Sequence, residues 1–186
     1  LPLAVGFQVP TPPLGLYAGK LTSIEQAKDG MTIAAPNDPS NFARVLVMLD
    51  ELGWIELKDD VNPLQASKND IATNTKHIQF IEMEAANLPR ARADADFAVI
   101  NGNFVLTSGM KLTDALYQEP SYAYVNWGAF RSADMKSKWA QDVVAAYHSD
   151  AFKQYAFTTY PGYKYPAAWQ VAGNCESSAP AASVAK

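Results

Sequence analysis

The stretch Pro36-Asn37-Asp38-Pro39-Ser40-Asn41 separates a short apolar run, Met31–Ala35, from a helix-periodic segment, and this junction restricts the fold more than any other part of the chain. A short apolar run with a β-branched centre reads as a buried strand. Asp38 suits an N-cap, where its carboxylate can accept a backbone N–H, and Pro39 suits the first helical position, where no N–H is needed. Apolar residues then recur at Phe42, Val45, Leu46, Leu49 and Leu52, and Gly53 follows as terminator. Strand, tight turn and helix in that order make half of a βαβ unit. Further strands are predicted at Ile78–Glu84, Phe97–Ile100 and Ala123–Phe130. Helices are predicted at Ser23–Asp29, Ala151–Phe157 and Asp134–His148, the last with Met135, Trp139, Val143 and Tyr147 at i+4 steps, and a short helix or turn at Asn87–Ala93. Leu3–Leu16 carries Pro10, Pro12 and Pro13 and reads as an extended connecting segment. From Gly173 onward the chain is small and polar, which predicts a disordered tail. Strands alternating with helices predict an α/β protein with a mainly parallel sheet.

Composition narrows the function. With 15 Lys+Arg against 19 Asp+Glu the net charge is −4, so nothing draws the chain to a nucleic-acid backbone, and no nucleic-acid partner is expected. Apolar residues at 48% and charged residues at 18% fit a folded globular protein. No apolar run is long enough to span a bilayer, and Leu1–Pro10 lacks the basic region and cleavage site of a signal peptide. His77 and His148 are far apart and Cys175 is the single cysteine, so neither a metal site nor a cofactor is expected. Cys175 follows no apolar run, which sets Val-Ala-Gly-Asn-Cys apart from a lipidation signal. No nucleophile–base pair or phosphate-binding loop stands out, which weakens the common enzyme classes. Asp59-Asp60 and the pair Asp94/Asp96 lie in polar sequence and read as solvated loops.

Three residues attract attention on chemistry alone. Arg44 is the lone cation of a helix that is apolar nearly all round, and it is expected in the first turn. A cation there is unfavourable unless an anion comes to it, either a ligand carboxylate or phosphate or a structural partner such as Asp38. Asn101 and Asn126 are expected at or within apolar strands, where a buried amide must be hydrogen-bonded. An amide has donors and an acceptor, so it can hold the α-amino and α-carboxylate groups of an amino acid; the other readings are a turn for Asn101-Gly102 and a structural bond for Asn126. Tyr17, Phe104, Tyr122, Tyr124 and Trp127 can line a pocket or simply fill the core, and His148 suits a helix C-terminus.

Several segments, taken in order, resemble the NlpA-type methionine-binding lipoproteins. They are Pro13-Leu14-Gly15-Leu16-Tyr17, Asp29-Gly30, Ile33–Asn41 with Arg44, Leu52–Lys58, Glu82–Arg90, Asp96–Asn101 and Tyr124-Val125-Asn126. The similarity runs from about Leu3 to Trp169, with Ala43 where the family usually has glycine. The resemblance implies a periplasmic-binding-protein-like α/β fold: one complete three-layer lobe, plus part of a second whose first strands lie upstream. On that reading residues 1–15 form an inter-lobe crossover strand, 16–118 the ligand-binding lobe, 119–170 a return segment with helices of the first lobe, and 171–186 a disordered tail. It implies that Arg44 grips the α-carboxylate of methionine, that Asn101 and Asn126 bind its polar groups, and that Tyr17 and Asn41 lie near the cleft. The implied function is the substrate-binding component of an ABC importer in the cell envelope, lipid-anchored in its parent and partnered by permease and ATPase subunits. Another amino acid or a short peptide on the same scaffold is the alternative, as is a truncated, non-transporting fragment. A chain lacking part of one lobe is also expected to expose the apolar faces of Ala123–Phe130 and the helix after it, so that either an upstream segment in the parent covers them or two copies cover each other as a homodimer.

Overall fold

The computed structural model describes residues 1–169; the predicted tail and Cys175 lie outside them. In chain order the strands and helices are β1 (Leu3–Gln8), β2 (Leu14–Ala18), β3 (Thr32–Pro36), α1 (Pro39–Glu51), β4 (Glu56–Leu57), β5 (Ile71–Thr73), β6 (Gln79–Met83) and α2 (Leu88–Ala91). They continue with β7 (Phe97–Asn101), α3 (Gly102–Thr107), β8 (Tyr117–Gln118), β9 (Trp127–Arg131), α4 (Lys138–His148) and α5 (Asp150–Thr159). Two compact units result: Pro12–Tyr124 with Tyr160–Tyr163, and Leu1–Thr11 with Val125–Thr159 and the stretch from Lys164.

The larger unit is built on a sheet of order β6-β3-β7-β2-β8. β6, β3 and β7 are mutually parallel, while β2 pairs antiparallel with both β7 and β8. β2 alone is therefore reversed. β3 and β7 are almost wholly buried, as continuous apolar runs covered on both faces should be. Alternation along each strand divides two cores. Leu14, Leu16, Ile33, Phe97 and Val99 face α1, whose Phe42, Val45, Leu46, Met48 and Leu49 are buried against them. Tyr17, Ala34, Ala98 and Ile100 face the other way, onto Leu88, Val105 and Leu112. Helices on both faces make the expected three layers.

Both ends of α1 are fixed as the junction predicts. Asp38 Oδ1 accepts the Asn41 backbone N–H at 3.0 Å, with Pro39 in the first turn. At the other end Gly53 takes a positive φ of 68°, Gly53 N–H donates to the Asp50 carbonyl and Trp54 N–H to that of Leu49. This is the glycine-terminated cap that satisfies orphan carbonyls, closed by the apolar side chains of Leu49 and Trp54. Ser23–Asp29 is shorter than expected: only Ile24–Gln26 is helical, as one 3-10 turn closed by Ser23 and Gln26. Gly102 opens α3 rather than a turn, and it is needed for space, since a Cβ there would come within 2.6 Å of the Pro12 side chain.

Asp96 corrects the solvated-loop reading. It is buried, and its Oδ2 accepts the Thr32 backbone N–H at 2.8 Å and hydroxyl at 3.1 Å, at the starts of β7 and β3. The Thr32 backbone N–H above all, helped by its hydroxyl and by Lys28, holds this carboxyl below its usual range despite burial.

The smaller unit has a two-stranded antiparallel ribbon, β1 with β9. The predicted strand Ala123–Phe130 is thus later and shorter, because β9 begins at Trp127. Phe7 and Phe130 on one face, with Ala140, Met135, Val144 and Tyr147, form its core. Gly6 and Gly128 make room for these rings: a Cβ at Gly6 would lie 2.4 Å from Phe130, and one at Gly128 2.6 Å from Phe7. Of the stripe Met135–Trp139–Val143–Tyr147, Met135 and Tyr147 pack on the core while Trp139 and Val143 are exposed. Ser137 caps α4, so the helix starts at Lys138 and its buried line runs through Ala140, Val144 and Tyr147, leaving Trp139 53% exposed. Leu3, Val5 and Trp127 of the ribbon are also exposed. Phe152, Phe157, Tyr165 and Trp169 form an aromatic cluster beside α5.

Candidate functional site

α1 carries Asn41 and Arg44 on the flank left over when its apolar face packs on the sheet. Arg44 lies beyond the first turn, and the helix N-terminus is already occupied by Asp38, so the anticipated pairing of Arg44 with Asp38 does not form. Its anion is Glu119, just after β8 and 5% exposed. The fork is bidentate: Arg44 Nε donates to Glu119 Oε2 at 2.9 Å and a terminal nitrogen donates to Oε1. Planar guanidinium and carboxylate match in this geometry, which makes it a strong form of ion pair. Glu119 Oε1 also accepts the Leu14 backbone N–H at 2.9 Å, so the carboxylate is tied to β2.

The other terminal nitrogen of Arg44 donates to Asn41 Oδ1 at 2.8 Å. The same oxygen accepts from Asn101 Nδ2, also at 2.8 Å, which brings Asn101 at the end of β7 beside Arg44. Asn41 Nδ2 in turn donates to both Asp38 oxygens at 3.0 Å. Partial burial works to raise the Asp38 pKa, but hydrogen bonds from Asn41 and Ser40 outweigh it and hold the carboxyl below its usual range. One side of the guanidinium is covered by the Tyr124 ring, 4.7 Å from Cζ. Burial raises the Tyr124 phenol, Glu119 adds to this, and Arg44 opposes it. Each terminal guanidinium nitrogen carries two N–H bonds and spends one here, so donors remain for an anion. Asn101 Oδ1 is buried and accepts no hydrogen bond among the described residues. A buried acceptor without a donor costs about 1–3 kcal/mol, which a ligand ammonium or amide can recover.

The structure thus brings Arg44, Asn41 and Asn101 into one network. Tyr17 is not in it: it lies in the core on the opposite face of β2, where burial and then Asp114 raise its phenol pKa. Asn126 belongs to the smaller unit, precedes β9 and is exposed rather than buried; its backbone pairs with the Thr11 hydroxyl and the Val9 N–H. Glu119, which sequence reasoning did not select, is the residue that organises the site. Its only signal is a carboxylate two residues beyond a tyrosine in a segment that must pair with β2. Among the described residues no cluster of three or more His, Cys, Asp or Glu side chains is arranged to hold a metal, and no helix is long and apolar enough to cross a membrane.

A three-layer α/β unit with a polar network at the ends of its parallel strands is the architecture of periplasmic substrate-binding proteins, and solved structures of that class superpose on this chain. A periplasmic substrate-binding protein of an ABC transporter from Coxiella burnetii does so with a TM-score of 0.77 and 34% identity, over 89% of this chain and 70% of that one. A nutrient-binding protein from Burkholderia cenocepacia, solved bound to methionine, gives 0.77 and 33% over the same shares. Residues 2–168 match the NlpA lipoprotein family, and the chain belongs to that family. The D-methionine-binding lipoprotein MetQ of Salmonella typhi is 34% identical over 154 residues, covering 81% of this chain. The chain spans about half the length of the curated relatives it matches, 56% in that case.

Proposed function

We propose that this protein is the substrate-binding component of an ABC importer and binds methionine. The observation that carries the reading is Arg44, held rigid by Glu119, Asn41 and the Tyr124 ring, with donors to spare beside the unpaired Asn101 acceptor. Arg44 takes the α-carboxylate and Asn101 Oδ1 the α-ammonium. Asn41 orients both side chains, since both donate to its oxygen. Because these partners are fixed before the ligand arrives, little ordering entropy is lost on binding. The resemblance to the family adds Asn126 as a further amide for the amino acid. A thioether against aromatic rings adds about 0.3–1.5 kcal/mol.

In this reading the larger unit, Pro12–Tyr124 with Tyr160–Tyr163, is the ligand-binding lobe, and the smaller unit belongs to the crossover and the first lobe. The protein works in the cell envelope as a lipid-anchored receptor, delivers its ligand to permease and ATPase subunits, and catalyses nothing. The family membership and the methionine-bound relative support this. A second reading, another amino acid or a short peptide, is favoured by the fact that the Arg44 network addresses only groups common to all amino acids. Mass spectrometry of ligand released on denaturing freshly purified protein tests both. Recovery of methionine supports the first, a different amino acid or peptide the second, and no small molecule together with no heat on titration with methionine would overturn both.

A further inference from the structure

The charge around Arg44 is what distinguishes this site from a simple carboxylate trap. The guanidinium is matched by Glu119, both of whose oxygens accept from it, and Asp38 adds a second carboxylate through Asn41. Counting Arg44, Glu119 and Asp38, the site is net negative. A ligand bringing only a carboxylate would meet an arginine already neutralised, a neighbouring carboxylate that repels it, and an Asn101 oxygen left without a donor. A ligand bringing an ammonium as well cancels its own charge and satisfies that oxygen. Glu119 is also mechanically fixed: the Leu14 backbone N–H anchors Oε1, and Leu14 stands opposite Asn101 in the β2–β7 pairing. Carboxylate, guanidinium and Asn101 amide are therefore set relative to one another by the sheet itself.

We propose that Glu119 is a positioning and specificity-determining residue: by fixing and neutralising Arg44 it makes the site select zwitterionic amino acids over simple carboxylates. This rests on the reading of Arg44 as an amino-acid site. Specificity of this kind comes from penalising the wrong ligand as much as from rewarding the right one.

The test is calorimetry on the whole protein with three probes: methionine, 4-(methylthio)butanoate, which lacks the ammonium, and methioninol, which lacks the carboxylate. The wild type should prefer methionine over 4-(methylthio)butanoate by about 10–100-fold or more, the range of a hydrogen bond to a charged group. Glu119→Gln keeps the size and an oxygen for Leu14 but removes the charge and the acceptor that Arg44 Nε uses, and should shrink that preference about tenfold or more. Its effect should fall on the ratio of the two affinities, which a general loosening of the fold would leave alone. Glu119→Asp keeps the charge and should hold the ratio within about threefold of the wild type; it also carries the test should Glu119→Gln not fold. A wild type that binds methionine while Glu119→Gln leaves the ratio unchanged, or Glu119→Asp collapses it, would overturn the role of Glu119 alone. A wild type that binds none of the three would overturn the amino-acid site itself and this inference with it.

Discussion

The two units solve the same problem with unequal means. The larger unit buries residues on both faces of a five-stranded sheet and caps its main helix at both ends. The smaller one has a two-stranded ribbon with one covered face, and Leu3, Val5, Trp127 and Trp139 remain exposed. Isolated ribbons of two strands are marginal in water. The difference teaches that the Arg44 network stands on a sheet packed on both faces, whereas Asn126 stands beside a ribbon packed on one.

The largest expected effect tests that contrast in stability. Leu49→Ala, in a fully buried position of α1, should cost about 2–5 kcal/mol, while Val5→Ala on the exposed face of β1 should stay within about 0.5 kcal/mol. Denaturant titration of both variants measures it, and comparable losses would erase the distinction. The second is on binding. Arg44→Ala should weaken methionine binding by about 1.5–3 kcal/mol, and Asn126→Ala by a similar amount if its amide is left without a replacement. An unchanged affinity for Arg44→Ala by calorimetry would return that residue to a structural ion pair with Glu119. The third concerns the cap. Asp38→Ala should cost about 1 kcal/mol of stability. The Asp38 and Asp96 carboxyls both lie below their usual range, so their contribution is complete above an unfolded value of about 4 and is lost as pH falls through the depressed folded values. Asp96→Asn should flatten that acid limb in a pH series of melts. The smallest effect is alkaline. Burial, and then Glu51 as a nearby charge and hydrogen-bond acceptor, push the Tyr117 phenol up to about 12. Its contribution is full below about 10 and lost as pH rises through the folded value, so Tyr117→Phe should reduce the loss of stability in that window. The apolar face of the smaller unit also predicts self-association of this chain when it is purified alone, which light scattering across concentration reads directly.

What the sequence revealed followed from how local each signal was. The cap, the proline and the glycine stop of α1 act within a few residues, and the buried pair β3–β7 is marked by two continuous apolar runs. Arg44 stood out as one cation on an apolar helix. Glu119 did not, because its burial comes from pairing a two-residue strand with β2, and nothing in Gln-Glu-Pro-Ser marks it. Asp96 looked like a loop residue for the same reason: its partner, Thr32, is distant in sequence. Of the i+4 stripe read across α4, Met135 and Tyr147 pack inward, but Ala140 and Val144 complete the buried line in place of Trp139 and Val143.

Asp96 immediately precedes β7 and Asn101 ends it. The bonds from Asp96 to Thr32 fasten the first residues of β3 and β7 in one alignment. Successive side chains of a strand point to opposite faces, so a slide of β7 by one residue would send Asn101 away from Arg44 and into the layer of α2 and α3. The carboxylate of Asp96 therefore works like the index pin of a lock barrel: fixed at the foot of the strand, far from any ligand, it decides which way the key residue at the head is turned.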